Sequence, residues 1–307
     1  MSELTRREIL ATLAAAGLIT AASPSLASLL DAPIHTRKIP KTGEVVPTIG
    51  MGTWITFNVG KDIQARDARS EVLNTFFELG GKLVDSSPMY GSAEEVVGYC
   101  LKKTGKREQL FSATKVWSPF TSYGNSQISN SYKLWGEEQF DLIQVHNLVS
   151  WQSHLQTLFQ LKADKKLRYV GITTSHGLRH EEIENIMKTQ PIDFIQLTYN
   201  VLDRDPEKRI LPLAKEKQIA VIINRPFQRG DLFDSFASKP LPDWASEIDC
   251  TAWSQFFLKF VTSHPAVTCA IPATSQVAHM KENMAAARGR LPDQKMRQKM
   301  TDYIRAL

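Results

Sequence analysis

Apolar residues along this chain fall into two alternating kinds of run. Short β-branched and apolar stretches, such as Asp141-Leu142-Ile143-Gln144-Val145-His146, are separated by longer stretches whose apolar positions recur at helical spacing. Continuous apolar runs signal strands buried on both faces, and their alternation with amphipathic helices signals consecutive βα units around a parallel sheet. Eight strands are predicted, at 48–51, 82–85, 110–115, 142–146, 169–173, 194–198, 220–224 and 267–271. Helices are predicted at 67–79, 93–103, 153–162, 181–188, 207–217, 252–261 and 280–287, with a last one at 294–306. Segments 36–39 and 44–47 flank Pro40-Lys41-Thr42-Gly43, which predicts a short β-hairpin ahead of the first unit. Eight βα units in about 250 residues fit an α/β chain folded as a (β/α)8 TIM barrel, whose active site lies on loops at the C-terminal ends of the strands.

The first residues break this rhythm. Arg6-Arg7 precedes a weakly apolar, alanine-rich stretch through Ala22, followed by Ser25-Leu26-Ala27, small residues of the kind a signal peptidase accepts. This order resembles a twin-arginine export signal and divides the chain into a leader, 1–27, and a barrel, 28–307. It predicts recognition by the twin-arginine export machinery and a periplasmic location, or a cytoplasmic one if the leader is not used. The apolar run is shorter than the roughly 20 residues that span a bilayer, so no stable membrane anchor is expected.

Composition narrows the classes of partner. The 307 residues are 42% hydrophobic and 22% charged, an ordinary globular balance that excludes a disordered chain. The formal net charge is +5, but lysines and arginines are interleaved with acids, so a nucleic-acid partner is not expected. Three cysteines, Cys100, Cys250 and Cys269, lack metal or disulfide-framework spacing. His176 and His180 have i, i+4 spacing, but Gly177 lies between them and no third ligand accompanies them, so no metal site is predicted.

The candidate chemistry lies at the strand ends. Asp85, Lys115 and His146 each close a predicted strand, and Tyr90 sits on the loop just after Asp85. A phenol is a sluggish acid at neutral pH; an adjacent ammonium favours the phenolate, and a buried carboxylate holds that ammonium charged. A histidine can then hydrogen bond a substrate oxygen. Together these groups would stabilise the alkoxide that forms as a carbonyl accepts a hydride. Gly50-Met51-Gly52 is only a fragment of a dinucleotide-binding fingerprint, so a nicotinamide cofactor would need a different surface. Trp54 and Trp117 follow predicted strands and are expected to line an apolar substrate pocket. Trp151 is divided between that pocket and the core, and Glu94 is expected to cap or charge the start of its helix.

Between residues 36 and 290 the sequence resembles the aldo-keto reductase family. The stretch from Gly80 through Asp85 and Tyr90 to Glu94 is similar to the family's aspartate-to-tyrosine signature, and 107–117 and 141–147 are similar to its lysine and histidine strands. The resemblance implies an NAD(P)H-dependent oxidoreductase acting on an aldehyde or ketone, with Tyr90 as general acid, Lys115 and Asp85 tuning it, and His146 orienting the carbonyl. It implies NADPH, with NADH also compatible, extended across the barrel mouth. Thr53 and Trp54 would border it beside Asp85. Thr173, Thr174 and Gln196 would grip the carboxamide. Arg225, Pro226, Phe227, Gln228 and Gly230 would cover the pyrophosphate, and Thr274, Ser275, His279, Glu282 and Asn283 would meet the adenine end. Four positions depart from the family pattern: Asn224 replaces an aromatic that stacks on the nicotinamide, Thr174 replaces an asparagine, and Ala273 and His279 replace basic residues at the 2′-phosphate. A monomer is expected. The alternative reading is a cofactor-binding redox sensor or regulatory subunit on the same barrel.

Overall fold

The computed structural model describes residues 25–307. A short helix α1 (Leu26–Asp31) precedes a hairpin of β1 (Thr36–Lys38) and β2 (Val45–Pro47). The βα units follow as β3 (Met51–Gly52), α2 (Ile63–Glu78), β4 (Leu83–Asp85), α3 (Ala93–Thr104), β5 (Phe111–Val116), α4 (Thr121–Trp135), β6 (Phe140–His146) and α5 (Trp151–Ala163). They continue as β7 (Leu167–Thr173), α6 (His180–Thr189), β8 (Phe194–Thr198), α7 (Ile210–Glu216), β9 (Ala220–Asn224), α8 (Asp231–Phe236), α9 (Trp253–Thr262), β10 (Cys269–Ala270) and α10 (Val277–Ala285). Helix α11 (Gln294–Ala306) closes the chain.

Strands β3 to β10 pair in sequence order as an 8-stranded sheet, and the neighbouring strands within it are parallel. Parallel bridges Ile49↔Ala270 and Gly52↔Ala273 join the first of these strands to the last, closing the (β/α)8 barrel. The seam depends on small residues. A Cβ on Gly52 would lie 2.8 Å from the Ile271 carbonyl oxygen, closer than any side chain tolerates. Gly50-Met51-Gly52 is thus explained by strand approach across the seam. The seam strands are also shorter than predicted, because their pairing runs through isolated bridges at Ile49 and Ala273 instead of a continuous ladder.

Apolar packing occurs in two places. Outside the sheet, helices cover an annulus that includes Val84, Val145, Ile172, Leu197 and Ile223. Inside, Leu83, Phe111, Leu142, Tyr169, Phe194 and Ala220 form a layer that the hairpin residues Ile39 and Val46 pack against. Because alternate strand residues point inward, the next interior positions toward the strands' C-terminal ends are Asp85, Gln144, Lys115, Gln196 and His146. The interior therefore changes from apolar where the hairpin plugs it to polar at the opposite mouth, and this gradient positions the site.

Two helical expectations needed correction. Helix α4 was not predicted, since Thr121–Trp135 is rich in serine and asparagine, residues that compete with helical backbone bonds. It buries one narrow stripe, Gly124, Ile128, Ser131 and Trp135, and tertiary packing holds it in place. Gly124 is needed there because a Cβ would meet the His154 ring at 2.4 Å. The predicted helix 207–217 is instead a 3-10 turn, Asp205–Glu207, and then α7, interrupted at Arg209 with φ −140°. The predicted leader lies outside the described residues except for its last three, Ser25 capping α1 and Leu26 and Ala27 opening it.

Candidate active site

The polar mouth is organised around Asp85. Its Oδ2 accepts from the Lys115 ammonium, which also donates to the Ser86 carbonyl at 2.8 Å. Its Oδ1 accepts from the amides of Gln144 at 3.1 Å and Gln196 at 2.9 Å. Lys115 and Asp85 are 0% and 2% exposed, so the pair is out of water and each partner is the other's main compensation. Parallel register explains the grouping: Asp85 lies beside Ala113, Lys115 beside Gln144, and His146 beside Thr173, all at the same end of the sheet.

Tyr90 and His146 complete the constellation. The turn after β4 is closed by the Tyr90 amide donating to the Ser87 carbonyl at 3.0 Å, and this brings the Tyr90 ring to 5.1 Å from Lys115 Nζ. The Tyr90 and His146 rings meet edge-on, with centroids 5.7 Å apart and planes at 83°. His146 is buried, and its Nδ1 lies 3.0 Å from Ser87 Oγ.

The electrostatics refine one expectation. Burial pushes the Tyr90 phenol above its ordinary value; Lys115 pulls it down and Asp85 pushes it up, and the net shift is upward. Lysine was expected to depress this pKa, but loss of hydration outweighs its charge. Burial works against the Lys115 ammonium too, yet Asp85 and Tyr90 prevail and hold its pKa above the lysine value. Burial, and then the charge on Lys115, hold His146 well below the ordinary histidine value, so its imidazole is neutral. At neutral pH the site sets a phenol, an ammonium and a neutral imidazole around Asp85.

The other predicted residues lie in different environments. Thr53 is fully buried, and its hydroxyl approaches the Asp85 carbonyl at 3.0 Å and Ser86 Oγ at 2.8 Å. Trp54 and Trp117 are 36% and 41% exposed, and the Arg229 guanidinium lies over the Trp54 ring at 4.4 Å. Gln196 is saturated within the protein: its amide donates to Asp85 and to Gln144, and its oxygen accepts from Thr173 and Asn224. Thr174 differs. Its Oγ1 is buried at the end of β7 without a hydrogen-bond partner among the described residues. Asn224 donates to the Thr174 carbonyl at 2.8 Å and accepts from Thr198 at 2.8 Å, so an amide network occupies the position expected to carry a stacking ring.

Beyond β9, Arg225, Phe227, Gln228 and Gly230 are partly buried and Pro226 is buried, with a 3-10 turn over Gln228–Gly230. At the remaining edge Thr274 and Asn283 are buried, Ser275 is half-buried and His279 is exposed, while Glu282 accepts from Ser254 at 3.0 Å. Helix α10 starts at Val277, three residues earlier than predicted, so His279 and Glu282 both lie on it.

Glu94 and Trp151 both contact the core, one of the two readings the sequence left open for Trp151. Glu94 lies in the first turn of α3, makes no cap bond, and turns into the core, accepting from Thr114 at 2.6 Å, Ser131 at 3.0 Å and Trp135 at 3.1 Å, so it also ties α3 to β5 and α4. Trp151 packs on the outer core and donates to Glu182 at 2.9 Å. Sequence reasoning missed Ser86, Ser87 and Gln144 because short polar residues in a turn or a strand carry no signal without the register that joins them.

Residues 48–300 match the Aldo/keto reductase family. The chain belongs to that family. It is 28% identical over 258 residues to methylglyoxal reductase YeaE of Escherichia coli, covering 81% of this chain and 88% of that protein. It is 27% identical over 246 residues to the NADH-specific methylglyoxal reductase of E. coli, covering 68% and 73%. The crystal structure of an aldo/keto reductase from Klebsiella pneumoniae in complex with NADP and acetate superposes with a TM-score of 0.76 at 23% identity, covering 88% of this chain and 95% of that one. At that identity the match shows a shared fold.

Proposed function

We propose that this member of the aldo/keto reductase family reduces aldehydes or ketones to alcohols with NADPH or NADH. The observation that carries the reading is the buried Lys115–Asp85 pair set against Tyr90, with a neutral His146 at the ring edge. Hydride donation to the carbonyl carbon is the chemistry a reduced nicotinamide supplies when bound. Tyr90 Oη gives its proton to the carbonyl oxygen, forming the alcohol O–H, and the phenolate left behind is stabilised by the Lys115 ammonium until solvent reprotonates it. His146, uncharged, orients the carbonyl by hydrogen bonding without competing as an acid.

The residues present fit a nicotinamide cofactor. Thr174 Oγ1 is a buried polar atom without a partner, as expected of a group kept for a carboxamide. The Arg225–Gly230 loop, with Trp54 beneath Arg229, would lie over the diphosphate, and Ser275, His279 and Asn283 would border the adenine end. Trp54 and Trp117 would wall a mainly apolar pocket for small or medium carbonyl compounds. Methylglyoxal is the first probe, since two E. coli relatives carry its name.

The test is a fluorescence titration of the purified protein with NADPH and NADH, followed by a carbonyl panel including methylglyoxal. Binding of neither cofactor would overturn the proposal, and tight binding without turnover of any carbonyl would redirect it to a redox sensor. The same reading has a monomer exported by way of its Arg6-Arg7 leader. Cell fractionation with Arg6→Lys/Arg7→Lys tests that part, and export unaffected by the change would count against it.

A further inference from the structure

Ser87 sits in the turn between Asp85 and Tyr90, is fully buried, and is assigned no part in the chemistry above. Its Oγ lies 3.0 Å from His146 Nδ1, and the Met89 amide donates to the same oxygen at 3.3 Å. A hydroxyl has one hydrogen to give and two lone pairs to offer. Met89 takes a lone pair. Among the described residues, the sole acceptor within reach of the Ser87 hydrogen is Nδ1 of His146. If Nδ1 carried the imidazole proton, the Ser87 hydrogen would be buried without a partner, an arrangement that folded proteins avoid. Hydrogen-bond accounting therefore makes Ser87 the donor and Nδ1 the acceptor.

We propose that Ser87 is a positioning residue that fixes His146 as the tautomer protonated on Nε2, so that the ring presents a donor to the carbonyl oxygen. The inference rests on the reading that a carbonyl is reduced beside Tyr90. With the proton on Nδ1 instead, Nε2 would present a lone pair to an oxygen gaining negative charge, and the contact would become repulsive. Ser87 thus links the two sides of the site: its backbone carbonyl accepts from the Tyr90 amide at 3.0 Å while its side chain orients His146.

The tautomer is read directly from 15N NMR of protein labelled at its histidines, with the His146 signals identified by their loss in His146→Gln. Wild type is expected to show a pyridine-like Nδ1 and a pyrrole-like Nε2. In Ser87→Ala the two tautomers are expected to mix, and kcat to fall about tenfold with carbonyl KM and cofactor affinity near wild type. A pyrrole-like Nδ1 in wild type would overturn the inference, as would Ser87→Ala with unchanged spectrum and kcat. Should Ser87→Ala melt, the wild-type spectrum alone still decides the tautomer. The spectrum needs no substrate, so a wild type that reduces no carbonyl yet shows the expected signals defeats the proposed function and leaves this assignment standing.

Discussion

Lys115 and Asp85 form an ion pair in the barrel interior with exposures of 0% and 2%, and the remaining carboxylate oxygen is held by two glutamine amides. Breaking such a pair from one side leaves a buried charge uncompensated. Lys115→Met is expected to cost about 3–5 kcal/mol of stability, in addition to its effect on activity. The double variant Asp85→Asn/Lys115→Met removes both charges and is expected to recover much of that loss. Denaturant unfolding of both variants checks this; a double variant no more stable than Lys115→Met would contradict it.

Tyr90 is half-buried, and the proposed function makes it the general acid. Tyr90→Phe removes one hydroxyl from the reacting group and nothing from the cofactor loops. Turnover is expected to fall about 10²–10⁴-fold, the usual contribution of a general acid, while cofactor affinity stays near wild type. Steady-state kinetics and a fluorescence titration on one preparation separate the two effects.

Asp85, Lys115 and His146 were readable in the sequence because a strand buried on both faces reads as a mostly apolar run, and a titratable residue that ends it stands out. The roles of Gln144, Ser87 and Glu94 were not, for they depend on neighbours distant along the chain. Gln144 reaches Asp85 across 59 positions, Ser87 reaches His146 across 59, and Glu94 meets Trp135 across 41. Helix α4 was hidden for a related reason: its single buried stripe has too few apolar residues to produce a periodic signal, and its partners His154 and Glu94 belong to other helices. The direction of the Tyr90 shift was missed because the depth of burial, which decides it, is a property of the assembled barrel.

Ala273 and His279 are both exposed at the edge assigned to the adenine end, where the family resemblance calls for basic residues. A 2′-phosphate there would lack charge-assisted hydrogen bonds. Ala273→Lys/His279→Arg is expected to raise NADPH affinity about tenfold, equivalent to about 1.4 kcal/mol, with NADH affinity little changed. Titration of each variant with both cofactors measures the ratio. An unaltered ratio would place the phosphate elsewhere.

Arg229 caps the Trp54 ring at 4.4 Å, joining the loop after β3 to the loop after β9 across the barrel mouth. A partly exposed contact of this kind contributes roughly 0.5–2 kcal/mol. If it holds the two loops over a bound dinucleotide, Arg229→Ala is expected to speed cofactor release several-fold while kcat for a slow carbonyl is unchanged. Stopped-flow displacement gives the release rate, and identical rates would show that the contact is ornamental to binding.

His264 accepts from the Ala266 amide at 3.2 Å and meets the Tyr199 ring edge-on, within a network in which Arg297 donates to Glu207 at 2.9 Å. Burial first, and then Arg297, depress its pKa from 6.5 to about 4. Because the folded value lies below the unfolded one, the unfolded chain binds a proton that the native state refuses, and stability present above pH 6.5 is lost as pH falls toward 4. His146 is shifted in the same direction by burial and Lys115, so it adds to the loss. Thermal midpoints recorded from pH 7.5 down to 4.5 should therefore decline. His264→Asn keeps an acceptor near Nδ1 but cannot take up the proton, and its midpoint should decline less steeply over that window. Parallel curves for the variant and wild type would mean that His264 is not one of the groups responsible.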